Sequence, residues 1–277
     1  MPEKEDSLTA QTDVTLTLAK QECAEHMEGM DEAIAEMKKL PLRIKAYALD
    51  DPHSPIGENV KTVHFVRHGQ GFHNLMADLA KKRGQTWKQF SRHPSNPYFM
   101  SEILDAPLTE KGRQQALMLQ PHVREMRDQI ELVAFSPNCR ALQTGALVFE
   151  SLKGKVPFIA HEMIREENGV HLCDKRRATS RQIQEFPMID FSLLESEEDV
   201  MFYADRRETK VEVATRVYKF LEWLESRPEK HVGVASHSAW LLTTFNANFE
   251  CDDALKRWFH TGEMRSANLE FNRDDGV

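Results

Sequence analysis

From residue 61 onward, short apolar runs alternate with amphipathic segments. "VHFV" (63–66), "IELVAFS" (130–136), "PFIA" (157–160) and "HVGVAS" (231–236) have the length and β-branched content of buried strands. Between them, "LTEKGRQQALMLQPHVREM" predicts a helix that opens on Thr109 as its N-cap. "NCRALQTGALVFESL" (138–152) and "VEVATRVYKFLEWLES" (211–226) predict two more, and "SAWLLTTFN" a short one after the 231–236 strand. "RSANLEF" (265–271) alternates as a last edge strand would. Strands alternating with helices predict an α/β fold. It is a three-layer sandwich, a mainly parallel sheet with helices on both faces.

The N-terminal part reads differently. Residues 1 to about 14 are polar and predict a disordered tail, and Leu16 to Leu40 shows loose helical spacing. That helix either packs on the main domain or binds a partner. "LPLRIKAYALDDPHSPIGENV", with three prolines and a glycine, reads as a loop or wrapping segment. The expected organisation is a tail, helix and wrapping segment over 1–60 and one catalytic-type domain over 61–277. Two stretches, about 75–104 and 170–209, break the alternation and predict insertions that form the lid or wall of a site.

Composition narrows the class. The chain has 277 residues, 40% of them hydrophobic and 29% charged, which suffices for a packed core. Its net charge of −8 disfavours general nucleic-acid binding, so any anion must be met by a local cationic cluster. The four cysteines (Cys23, Cys139, Cys173, Cys251) form no CxxC pair. Neither a metal-ligand spacing nor a cofactor motif is found. The polar N-terminus carries no secretory h-region, and no apolar run approaches the roughly 20 residues of a membrane span. A soluble, cytoplasmic protein is expected, of undetermined oligomeric state.

The chemistry sits where strands give way to helices. In open α/β sheets, ligands bind beyond the carboxyl ends of the strands. "VHFV" is followed by Arg67-His68-Gly69, "LVAFS" by Pro137-Asn138-Cys139-Arg140, and "HVGVAS" by His237-Ser238. If these strands are neighbours, two arginines and two histidines converge near helix N-termini, whose free N–H groups favour an anion. Arginines grip phosphoryl oxygens bidentately, and a neutral imidazole is a competent nucleophile toward phosphorus. A second imidazole, once protonated, neutralises transition-state charge. A departing alkoxide needs an acid, and "HEMIREENG" after the fourth strand offers Glu166 and Glu167.

Taken in order, these motifs resemble the histidine phosphatase superfamily, also called the phosphoglycerate-mutase-like family. "RHGQGFHN", "DAPLTEKGRQQA", "SPNCRALQT" and "VASHSAWL" are similar to its successive segments over about 62–245. The resemblance implies a hydrolase, a phosphatase acting on a small phosphorylated molecule without metal or cofactor. It implies His68 as the phosphorylated nucleophile and Arg67, Arg140 and His237 as phosphate ligands. Asn74 would assist them, and Glu166 would be the proton donor. "REENGVHLCDKRR" resembles a eukaryotic, mutase-like branch. Ser238 stands where the family's acid phosphatases and phytases carry aspartate. "EENGV" departs from the Glu-Arg-His-Tyr-Gly segment of phosphoglycerate mutases, which favours phosphatase over phosphomutase. A non-catalytic phosphate-binding regulator is the rival from another class. Lys175 and Arg176, with Arg177, form a candidate second anion clamp, or else a solvated basic stretch. Cys173 reads as a small core filler.

Overall fold

The computed structural model describes residues 26–85, Arg92 and 96–273. The expected tail, the first part of the N-terminal helix and Cys23 lie outside these residues. The fold is built on a seven-stranded sheet. Its strands are β1 (Leu42–Ala48), β2 (Val60–Arg67), β3 (Leu132–Phe135), β4 (Phe158–Ala160), β5 (His231–Ser236), β6 (Phe249–Glu250) and β7 (Met264–Arg273). They lie in the order β4-β3-β5-β2-β7-β1-β6. β7 alone runs against the others.

The alternation of side chains along the strands sends neighbouring residues to opposite faces. Phe65, Ala134 and Val234 enter one apolar cluster. Val66, Phe135 and Ala235 enter another. The first cluster takes in α1 (Met30–Met37), through Ala33 and Met37, and α6 (Lys210–Ser226), through Val213, Val217 and Phe220. The second takes in α3 (Glu110–Met126) through Ala116 and Val123, and α4 (Cys139–Val148) through Cys139, Leu142 and Val148. The sheet is therefore covered on both faces; β3 and β4 are buried throughout and β5 in all but its first residue, as their near-continuous apolar runs require. Phe65, at 0% exposure, stabilises the fold by about 1.5–3 kcal/mol on burial alone.

Thr109 caps α3 as its sequence predicts, its hydroxyl accepting from Gly112 N at 3.1 Å. Two readings change. The segment read as a wrapping loop contains β1, whose Leu42, Ile44 and Ala46 point inward while the prolines fall outside the strand. "RSANLEF" is an interior strand, paired with β2 on one side and β1 on the other. In sequence it resembles an edge because its partner β1 lies in the proline-containing segment that reads as a loop. The helix after β5 also stops early. α7 (Ser238–Thr243) passes into a single π-helical turn over Thr244–Asn248. Two further helices, α2 (Phe72–Lys82) and α5 (Thr179–Glu185), belong to the stretches expected as insertions, and α8 (Asp253–Lys256) precedes β7.

The two insertions meet. Ile103 from the first, with Ala106 just beyond it, packs with Cys173 from the second, and Met76 of α2 and Tyr98 lie against them. Cys173 is thus core filler, and burial pushes its thiol well up. No helix among the described residues is long and apolar enough to cross a membrane.

Candidate active site

Register brings the predicted residues together. Arg67 of β2 pairs with Ser236 of β5, so His68 and His237 leave the sheet side by side. Phe135 of β3 pairs with Ala235, so the Ser136–Arg140 turn opens beside them. The His68 and His237 rings lie 5.1 Å apart, centroid to centroid. His68 is 1% exposed, Arg140 1% and His237 0%. Two polar imidazoles and a guanidinium in such a setting need partners or a ligand.

His68 Nδ1 lies 2.7 Å from the carbonyl oxygen of Gly69. A carbonyl can only accept, so Nδ1 carries the hydrogen and Nε2 keeps the lone pair. Burial, with Arg140 and Arg67 close by, pushes this imidazole well below its ordinary value, so it is neutral. Gly69 itself is fixed from below, its N–H donating to Thr144 Oγ1 at 3.0 Å. The loop packs directly on the start of α3. A Cβ on Gly69 would fall 2.3 Å from the Gly112 carbonyl oxygen, and one on Gly112 would fall 2.2 Å from that of Gln70. The two glycines permit this backbone-to-backbone approach.

Arg140 is held from the second insertion. Its Nη1 donates to the Cys173 carbonyl at 2.5 Å and its Nη2 to Asp174 Oδ1 at 2.8 Å. Asp174 Oδ2 also accepts from Arg207 Nη1 at 2.7 Å. Burial raises the Asp174 carboxyl, but Arg207 and Arg140 outweigh it and hold it down at about 2. Arg67 donates to the Phe259 carbonyl at 2.6 Å and lies 5.4 Å over the Trp258 ring. His237 Nε2 sits 2.7 Å from Ser136 Oγ, while its Nδ1 is buried without a hydrogen-bond partner. Burial and then Arg140 push this ring down as well, so it is neutral until an anion arrives. Asn74, half-buried in the first turn of α2, accepts from Gly71 N through Oδ1 at 3.0 Å.

The two glutamates part company. Glu166 Oε1 accepts from the backbone N–H groups of Glu167 (2.9 Å), Ala239 (3.0 Å) and Trp240 (3.1 Å). Its Oε2 takes the Ser238 hydroxyl at 3.1 Å. It caps α7, the helix that follows His237. Glu167 pairs instead with Lys210, Arg207 and His26. Burial raises its carboxyl, but the hydrogen bond from His26 and the charges of Arg207 and Lys210 bring it far below the usual carboxylate range. Glu166 is thus the one packed against the residue after His237.

The expected second clamp is built otherwise. Arg176 is 2% exposed, and its guanidinium donates to Glu162, Thr179 and the carbonyls of Arg177, Ser196, Glu197 and Glu198. All its donors bind the protein, because the acidic "ESEED" run folds back over it rather than sitting in solvent. Lys175 lies 5.7 Å over the Phe202 ring. Arg177 bridges Asp105 and Glu185. The basic triplet therefore stitches the second insertion together.

Sequence reasoning passed over four residues. His73 is 6% exposed and its ring lies 5.5 Å from that of His68. Tyr98 lies 6.4 Å beyond it and stacks on His171 at 4.7 Å. Asp174 orients Arg140. His73 was within reach of a sequence reading, five residues after His68 in the same motif. The others come from the insertions and carry no local signal.

A family model described as the histidine phosphatase superfamily (branch 1) matches residues 63–277. Phosphoglycerate mutase-like protein 1 of Arabidopsis thaliana is 37% identical over 74% of this chain and 80% of its own length. A second phosphoglycerate mutase-like protein of Arabidopsis thaliana is 35% identical over 71% of this chain and 78% of its own. The crystal structure of a phosphoglycerate mutase from Bacillus anthracis superimposes with a TM-score of 0.49 at 16% identity, covering 78% of this chain and 92% of that one. The ordered motifs and the family-model match over residues 63–277 agree: the chain belongs to the histidine phosphatase superfamily.

Proposed function

We propose that this protein is a phosphatase that hydrolyses a small phosphomonoester through a phosphohistidine at His68, without a metal ion. The observation that carries the reading is the His68–Gly69 hydrogen bond, which leaves a neutral ring with its Nε2 lone pair available beside two buried arginines. In the first step Nε2 attacks phosphorus, the P–O bond to the leaving group breaks, and the leaving oxygen keeps the electron pair and takes a proton from Glu166. In the second, water attacks the phosphoryl group and gives a proton back to Glu166 as the P–N bond breaks and returns its electron pair to Nε2. Arg67 and Arg140 bind phosphoryl oxygens, assisted by Asn74. His237, neutral in its buried setting, gains its proton as the dianion approaches, since a nearby negative charge favours the imidazolium. It then offers N–H donors to the equatorial oxygens.

Phosphomutase activity is the second reading, and the mutase-like names of its relatives favour it. The departure of "EENGV" from the mutase segment favours hydrolysis. The test is turnover of an aryl phosphate together with trapping of acid-labile protein phosphate. Wild type should give both. His68→Ala should lose the trapped phosphate and at least ~10³-fold in turnover, as removal of a nucleophile does. Near-wild-type turnover by His68→Ala would sink the mechanism.

A further inference from the structure

The segment before α1 reaches the active site from outside its motifs. His26 lies far ahead of Arg67-His68-Gly69 in sequence, yet it is 9% exposed. α1 anchors it through the buried Met30, Ala33 and Met37. Gly29 turns the chain at φ 78°, in the left-handed region that glycine adopts without strain. A Cβ there would stand 3.7 Å from Lys210 Cγ, so the chain passes directly over the lysine that pairs with Glu167.

From there His26 makes two contacts, and each leads to a different arginine of the site. Its ring stacks on Trp258, with centroids 5.1 Å apart and planes 28° apart. Trp258 belongs to the segment before β7 that braces the nucleophile loop. Arg67 lies 5.4 Å over the same indole and donates through Nη1 to the Phe259 carbonyl at 2.6 Å. The backbone N–H of Arg67 donates to the Glu263 carbonyl at 3.0 Å, and that of Gly262 donates to the His68 carbonyl at 3.1 Å. The second contact is with Glu167, whose Oε2 lies 3.9 Å from His26 Nδ1. Glu167 Oε1 lies 3.6 Å from Arg207 Nε. Arg207 Nη1 donates to Asp174 Oδ2 at 2.7 Å, and Asp174 Oδ1 accepts from Arg140 Nη2 at 2.8 Å. A buried charge that loses its partner is strongly penalised, so each member of this chain holds the next in place.

We propose that His26 is a positioning residue for the phosphate pocket: from the N-terminal segment it fixes Arg67 through Trp258, and Arg140 through Glu167, Arg207 and Asp174. This rests on the reading of those two arginines as phosphate ligands. His26 itself touches no substrate. Its effect is on geometry, because a guanidinium grips a phosphoryl group bidentately only when its fork faces the oxygens. A displacement of about 1 Å in such a group is enough to cost on the order of 10²-fold. The N-terminal segment is therefore a working part of the site, joined to both of its arginines by one imidazole.

The test measures anion binding apart from turnover. Inorganic phosphate is titrated into wild type, His26→Ala, His26→Phe and His26→Gln, each as the full chain, and an aryl phosphate supplies kcat and KM. His26→Ala should weaken phosphate and raise KM about tenfold, with kcat within about threefold of wild type, since a misplaced binding group changes affinity more than the chemical step. His26→Phe keeps a ring against Trp258, and His26→Gln keeps an N–H toward Glu167. At least one of them should regain most of the lost affinity. A purely structural role would lower the urea midpoint of His26→Ala and leave its phosphate affinity unchanged, and that result would overturn the proposal. So would a loss confined to kcat, or His26→Phe and His26→Gln both binding as weakly as His26→Ala. If His26→Ala does not fold, Trp258→Leu takes its place, because it removes the stacking partner instead. Wild-type phosphate affinity in that variant would overturn the proposal. Failure of wild type to bind phosphate is a different result, and would remove the reading of Arg67 and Arg140 themselves, and this inference with it.

Discussion

Asp174 Oδ1 lies 2.8 Å from Nη2 of Arg140, and its other oxygen lies 2.7 Å from Nη1 of Arg207. A carboxylate from the second insertion thus holds the arginine in the first turn of the helix that follows β3. Asp174→Asn keeps the shape and removes the charge. It should lower kcat/KM about 10- to 100-fold, since breaking a buried ion pair leaves guanidinium groups without their counter-charge. The loss should appear in KM for a phosphomonoester and in the inhibition constant of vanadate alike. A variant with wild-type vanadate affinity would show that Asp174 does not orient Arg140.

Gly112 touches no substrate in any reading of the site, yet its replacement should damage it. The added Cβ would meet the backbone oxygen of Gln70 at 2.2 Å, where no flexible side chain can yield. Gly112→Ala should cost roughly 1–3 kcal/mol of stability, as overpacking does. It should also lower turnover, because the Arg67–Gly71 loop must move. Calorimetry and an aryl phosphate assay check both, and an unchanged melting temperature would contradict the packing.

Acid should destabilise the fold earlier than carboxylate titration alone predicts. Burial pushes His64 and His161 down to about 4, and burial with neighbouring cations lowers His68, His73 and His237 as well. Their folded values lie below the unfolded one of about 6.5. As pH falls, the unfolded chain binds protons first. Stability is fully present above about pH 6.5 and is lost progressively toward pH 4. Urea midpoints taken from pH 7.5 to 4.5 should decline steadily, and a flat profile between 7 and 5 would contradict these burials.

Turnover should survive a chelator and fall with vanadate, which mimics five-coordinate phosphorus. In the proposed reaction Arg67, Arg140 and, once protonated, His237 do the work that a metal does elsewhere. Loss of activity in EDTA, restored by a divalent ion, would overturn the metal-free mechanism.

Given a phosphoglycerate with a bisphosphate primer, released phosphate should exceed isomerised product. The segment after Glu166 departs from the mutase pattern, and water has to reach phosphohistidine for hydrolysis to dominate. Dominant isomerisation would promote the mutase reading.

Local sequence determined the elements that carry the chemistry. The apolar runs of β2, β3 and β5, each ending at a polar turn, were readable because burial on both faces requires an unbroken hydrophobic strand. Arg67 ends β2, and His68, Arg140 and His237 follow β2, β3 and β5 within five residues or fewer, so a strand's end locates them. Thr109 marked its helix because a cap is a bond between near neighbours. Tertiary structure alone decided the rest. β1 was hidden among prolines, and with it unread β7 looked like an edge. Arg176 reads the same in sequence whether solvated or buried. Its acceptors, Ser196 to Glu198, lie about twenty residues on, and only the fold brings them back. Asp174 lies 34 residues from Arg140, and His73 becomes a buried neighbour of His68 only because the insertions close around it. Charge and polarity are properties of a residue. Their use depends on which distant groups share its low-dielectric surroundings, and packing settles that.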